Sequence, residues 1–148
     1  MNVEEIIRTS SPIPPVPRTI IHLTLVANKV TETLGSALKP FEVSMQQFNV
    51  LRILRGQKGR PANLFTLNER MVNKMSNTTR LVDKLLAKGF VERSQCPSNR
   101  RKVEILITPS GTAALDLMDQ AVKEAQDRLL ENFAPGDLEQ FNLLLDKF

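Results

Sequence analysis

The stretch TRLVDKLLAKGFVER (residues 79–93), followed after two residues by CPSNRRKVEILIT (residues 96–108), decides how the chain is read. On a wheel of about 100° per residue, Leu81, Val82, Leu85 and Leu86 fill one arc. Asn77, Thr79, Arg80, Lys84 and Lys88 fill the opposite arc, with Asp83 the one acid among them. The spacing predicts a helix from about Met75 to Lys88, stopped at Gly89. Phe90–Arg93 and Val103–Thr108 then read as two short strands, the second rich in β-branched residues. The polar segment Ser94 to Lys102 between them makes a hairpin with a basic tip of Arg100, Arg101 and Lys102.

Upstream, Thr66-Leu-Asn-Glu69 has the capping-box pattern and predicts a short helix carrying Leu67 and Met71. Ser44-Met-Gln-Gln47 is a second such box, opening a helix with Phe48, Leu51, Ile53 and Leu54 that ends at Gly56. Two short helices joined by a tight turn, then a hairpin, make a winged helix-turn-helix lobe over residues 44–108. The fold class is mainly α with a small β-hairpin wing.

The flanks differ in character. Ile20, Ile21, Leu23, Leu25, Val26, Val30, Leu34 and Leu38 recur at helical spacing up to Pro40. Thr108-Pro109 reads as an N-cap with proline at the first helical position, starting a long helix to about Phe133. Leu115, Met118, Val122, Ala125 and Leu129 step along it as at a coiled-coil seam. After Pro135-Gly136-Asp137, residues Leu138, Phe141, Leu144, Leu145 and Phe148 form a last amphipathic helix. These stripes exceed what one small core covers, so residues 18–40 and 109–148 read as dimerisation helices. The expected contacts are Ile20, Ile21, Leu25, Leu115, Val122, Leu129, Leu138, Phe141 and Leu145. Residues 1–17, with four prolines from Pro12 to Pro17, read as an extended arm ahead of a single domain, 18–148.

Charge is concentrated in the middle. Arg52 to Lys102 holds thirteen Lys+Arg and three acids, a net +10, whereas the remainder holds seven and thirteen, a net −6. A merely solvated helix face usually alternates in sign; this segment fits a polyanion-binding module. A groove about 12 Å wide admits such a helix, and a forked guanidinium matches the two acceptors of a guanine edge. Arginine at a protruding tip suits the negative potential of a minor groove.

The other chemistry is thin. The chain of 148 residues is 41% hydrophobic and 24% charged, ordinary for a globular protein. One Cys and one His supply neither a disulfide framework nor a metal site. No Ser/His/acid grouping or glycine-rich phosphate loop is present, so no enzyme and no cofactor are expected. No apolar run approaches the roughly 18 residues of a membrane span. The acidic N-terminus is unlike a secretory signal, and a cytoplasmic protein is expected.

The residues also resemble a family, the MarR-type transcriptional regulators. Thr79 to Arg93 is similar to that family's recognition helix and first wing strand. Cys96-Pro-Ser-Asn-Arg-Arg101 before Val103 to Thr108 is similar to its wing, usually D-P-x-D-R-R. Thr108-Pro-Ser-Gly111 matches the start of its long helix, and Pro135 to Lys147 its last. The resemblance spans about Ile20 to Phe148. It implies a homodimer with both chain ends interleaved, and two recognition helices in successive major grooves of a palindromic operator. It also implies wings in flanking minor grooves and repression relieved by a small lipophilic or phenolic effector. Carried over by position, Ser76, Asn77, Thr79 and Arg80 face bases and nearby phosphates, and Arg101 is the wing arginine; Lys84 on the same basic helix face, and Arg100 and Lys102 at the hairpin tip, complete the expected DNA contacts. Cys96 and Asn99 stand where the family has aspartates, so Asn99 orients Arg101 by a weaker bond. Val72-Asn73 replaces the usual Gly-Leu, making Asn73 the expected left-handed residue of the turn. Cys96 beside Arg93, Arg100 and Arg101 invites a redox reading; its place in the wing rather than the helical body stands against it. A second functional reading remains, a winged-helix module for a protein or RNA partner without operator specificity.

Overall fold

The computed structural model describes residues 1–96 and 99–148, with residues 96 and 99–102 described by backbone alone. The elements are α1 (Val3–Ile6), α2 (Pro15–Leu38), a 3-10 turn (Lys39–Phe41), α3 (Met45–Gly56), α4 (Leu64–Arg70), α5 (Thr78–Ala87), β1 (Val91–Cys96), β2 (Asn99–Ile107), α6 (Pro109–Leu129) and α7 (Pro135–Leu145). The fold is mainly helical with one antiparallel hairpin, as the sequence leads one to expect.

One core joins the helix-turn-helix lobe to the long helices. Leu34 and Leu38 of α2, Phe48, Leu51 and Leu54 of α3, Leu67 of α4 and Leu85 of α5 are buried together with Leu115, Met118 and Val122 of α6. Val91 and Ile105 of the hairpin close it. Outside the hairpin, Ala62 pairs with β2: Ala62 N–H donates to Ile105 O at 3.0 Å and Ile105 N–H returns to Ala62 O at 2.8 Å. That exchange ties the chain ahead of α4 to the wing.

Several boundaries differ from the sequence reading. Residues 1–17 are not a uniformly extended arm. Asn2 caps α1, whose Val3 is buried, and α2 begins at Pro15, because proline is tolerated in a first helical turn that needs no amide donor. Glu4 of α1 receives two bonds from Arg18, Nε to Oε1 at 2.7 Å and Nη2 to Oε2 at 3.1 Å. The Ser44–Gln47 box forms in both directions, at 2.8 and 3.2 Å. The Thr66–Glu69 box does not. Asn63 is the cap of α4, its Oδ1 accepting from Thr66 N–H at 2.8 Å, so Thr66 lies inside the helix.

Likewise α5 starts at Thr78, not Met75, because Asn77 caps it by accepting from Arg80 N–H at 3.1 Å. Asn73 is not left-handed; among the described residues, the non-glycine ones with positive φ are Arg8, Glu42 and Lys58. Asn73 instead accepts from Met75 N–H at 3.0 Å, turning the chain with its side chain. Backbone pairing also continues into the segment read as a loop, with β1 reaching Cys96 and β2 starting at Asn99 across an irregularity at Gln95/Cys96. The basic residues 100–102 therefore belong to a strand.

Gly111 is required where α6 passes the hairpin. A Cβ there would lie 2.0 Å from Phe90 O, a backbone atom with no room to retreat. Thr108 closes this junction, its Oγ1 donating to Gly89 O at 2.7 Å and accepting from Gly111 N–H at 2.9 Å.

Candidate nucleic-acid interface

Helix α5 is held from three sides. Val82 and Leu85 anchor it in the core, Thr78 Oγ1 bonds Asn68 of α4, and Arg93 Nη1 of β1 pairs with Asp83 Oδ1 at 2.9 Å. The turn before it is fixed to α3, where Asn49 Oδ1 accepts from Val72 N–H at 3.0 Å. Lys88, just past the helix, reaches Glu42 at 3.1 Å. These bonds consume Asp83 and Arg93, leaving Arg80 and Lys84 outward.

Asn77, Arg80 and Lys84 line one open groove of about 370 Å³, together with Gln46, Asn73, Met75, Ser76 and Leu81. Arg80 and Lys84 are exposed, as is Thr79 on the first turn. The amide-rich start of a ten-residue helix adds a partial positive charge to the two cations. Ser76 also lines this groove, and its Oγ is enclosed without a hydrogen-bond partner among the described residues. Gln46 and Met75 are groove residues that sequence periodicity did not single out, since one faces off α3 and the other precedes the helix. The side chains of Arg100, Arg101 and Lys102, with those of Cys96 and Asn99, lie outside the described residues.

A second cavity, of about 290 Å³, lies between α2, α3 and the turn before α5. Val30, Leu34, Met45, Phe48, Met71 and Val72 give it apolar walls, with Arg52 among its polar members. The Arg52 guanidinium stands 5.8 Å from the Phe48 ring centre. Gln46 and Asn73 border both spaces, so the cavity and the groove share a wall.

The surfaces expected to meet a second chain divide into two groups. Leu115 and Val122 are buried within this chain, against α2 and α3, and so are not free to contact a partner. Ile21, Leu25, Leu129 and Leu138 are half-buried. Ile20, Phe141 and Leu145 are exposed, and α7 has no buried residue at all. Phe133 and Phe141 stack at 6.4 Å, and Leu143, Leu144 and Phe148 extend the open apolar face.

Among the described residues there is no group of three side chains that would hold a metal ion, and no helix is long and apolar enough to cross a membrane.

This arrangement has relatives. Residues 43–103, the span from Val43 through the first residues of the wing's second strand, match the model of the MarR family. The uncharacterized HTH-type transcriptional regulator YdgG of Bacillus subtilis is 35% identical over 112 residues, covering 72% of this chain and 72% of the relative. The chain belongs to the MarR family. Members of this family are transcriptional regulators, not enzymes, and this MarR-family chain is a DNA-binding regulator of that class. The multiple antibiotic resistance protein MarR of Salmonella typhimurium is 28% identical over 127 residues, 83% of this chain and 85% of that one. A crystal structure of a cysteine-to-serine mutant of Escherichia coli MarR complexed with operator DNA superposes with a TM-score of 0.76 at 26% identity, covering 99% of this chain and 97% of that chain.

Proposed function

We propose that the chain is a homodimeric repressor that binds a palindromic operator, with α5 in the major groove and the hairpin at the flanking minor groove. The observation that carries this reading is the outward row of Asn77, Arg80 and Lys84 around one open groove, on a helix locked to the wing by Asp83 and Arg93. Arg80 serves as the guanine-reading side chain, Lys84 and Thr79 hold phosphates, and Asn77 fixes the helix start. Arg100, Arg101 and Lys102 supply wing contacts. The dimer forms through Ile20, Phe141, Leu145 and the rest of the open face of α7, with half-buried Ile21, Leu25, Leu129 and Leu138 at its edge. Leu115 and Val122, buried within one chain, are left out of this proposed interface.

The cavity beside Phe48 and Arg52 supports binding of a small apolar effector. Its shared wall gives such a ligand a short route to the groove, because Gln46 and Asn73 line both spaces and a ligand that shifts either side chain alters the groove. A ligand that prefers the displaced arrangement weakens DNA binding by its difference in affinity for the two arrangements.

Gel shifts on the gene's own upstream DNA, with sedimentation of the free protein, test the reading. A dimer at micromolar concentration that selects duplexes with half-sites about one helical turn apart is the expected result. A monomer, or equal binding to unrelated duplexes or to RNA, overturns it.

A further inference from the structure

Met75 is 95% exposed, more than any other large apolar side chain among the described residues, and Val72 beside it is 88% exposed. Exposed apolar residues are common singly, but this one stands in the same groove as Asn77, Arg80 and Lys84. The chain's own core does not take it. A second copy is an unsuitable cover, because Lys74, Arg80 and Lys84 would face their own like charges there. The occupant has to be anionic overall and apolar at one point. A DNA major groove meets both conditions, since each thymine presents a 5-methyl group among otherwise polar edges.

We propose that Met75 is a specificity-determining residue that reads a thymine methyl, in a position no basic residue of α5 can read. This rests on the operator-binding reading above. Met75 sits just ahead of the first turn of α5, the end of a recognition helix that approaches base edges. Asn73 Oδ1 holds the Met75 amide at 3.0 Å, which fixes the backbone while the unbranched thioether adapts to the base. The contact buries one methyl group on each side and carries no charge, so it contributes preference without salt dependence.

The test uses the full-length protein and a duplex selected by it from a random pool. Each thymine is replaced singly by deoxyuridine, which removes only the methyl, and affinity is read at fixed salt. Wild type is expected to lose about fourfold at one thymine of each half-site, the effect of about one buried methyl. Met75→Ala is expected to bind thymine and uracil equally there, with the wild-type salt slope, and Met75→Leu to retain the preference. Because Met75 is so exposed, its replacement leaves the fold intact, which circular dichroism checks. Wild-type indifference to every uracil, or an unchanged preference in Met75→Ala, overturns the proposal. Failure to select any duplex overturns the operator reading and this one together, whereas selection without a methyl effect overturns this one alone.

Discussion

Arg55 Nη2 lies 2.5 Å from Asp119 Oδ2, and this contact joins the helix-turn-helix lobe to the long helix α6. The other guanidinium nitrogen meets Asp116 at 3.1 Å, so one arginine of α3 bridges two successive acids of α6. All three side chains are at least about one-third exposed, which limits the strength of each pair. Arg55→Met is expected to lower unfolding stability by about 0.5–1 kcal/mol, and by less in high salt. Urea titration followed by far-ultraviolet circular dichroism measures it; the chain has neither Trp nor Tyr for fluorescence.

Gly111→Ala should be far more damaging. Its new methyl meets Phe90 O at 2.0 Å, and relief requires moving α6 off the hairpin. A loss of about 1–3 kcal/mol or more is expected, seen as a reduced melting temperature. Gly35→Ala, where nothing lies within 4 Å, serves as the control and should not be destabilising.

Replacing helix caps separates two readings of one segment. Asn63→Ala should cost about 1 kcal/mol, because Thr66 N–H loses its acceptor. Thr66→Ala removes no cap and should cost markedly less. Equal losses would restore Thr66 as the start of α4.

The N-terminal clasp should respond to acid. The hydrogen bond from Arg18, with help from its own backbone amide, holds the Glu4 carboxyl below the usual carboxylate range. A depressed value in the folded state means that the stabilisation is fully present above the usual range. It is lost as the pH falls through the lowered value. The protection of the Glu5, Ile6 and Ile7 amides, that is their exchange corrected for its intrinsic pH dependence, should therefore fall in acid before that of the core, and Glu4→Gln should abolish that fall.

Arg80→Ala is expected to weaken binding to the selected operator by about 1–3 kcal/mol and to relax preference at one base pair. Lys84→Ala should weaken all duplexes alike and lower the salt slope by about one unit. Competition gel shifts at two salt concentrations distinguish the roles; a uniform loss in Arg80→Ala would remove it from base reading.

What was legible in the sequence was local or periodic. The Ser44–Gln47 box, the stop at Gly89 and the start at Thr108-Pro109 depend on neighbours within three residues, and all three form as read. Competing local signals explain the misplaced helix starts. Asn63 lies three residues before Thr66 and Asn77 three before Arg80, and a cap outweighs an apolar pattern that begins slightly elsewhere. Periodicity revealed that Leu115 and Val122 face something apolar, but not that the cover is α2 and α3 of the same chain. Partners distant in sequence left no trace: Asn49 with Val72, Ala62 with Ile105, and the groove's Gln46 come together only through the fold.

Helix α7 shows what such a fold asks of its surroundings. An eleven-residue helix with no buried side chain has little reason of its own to stay wound in water. Whatever lies over Phe141, Leu144 and Leu145 therefore acts as part of its folding machinery. In the dimer proposed above, the C-terminal segment should be protease-sensitive in dilute solution and protected in concentrated solution, so that the lifetime of each molecule rises with the abundance of its companions.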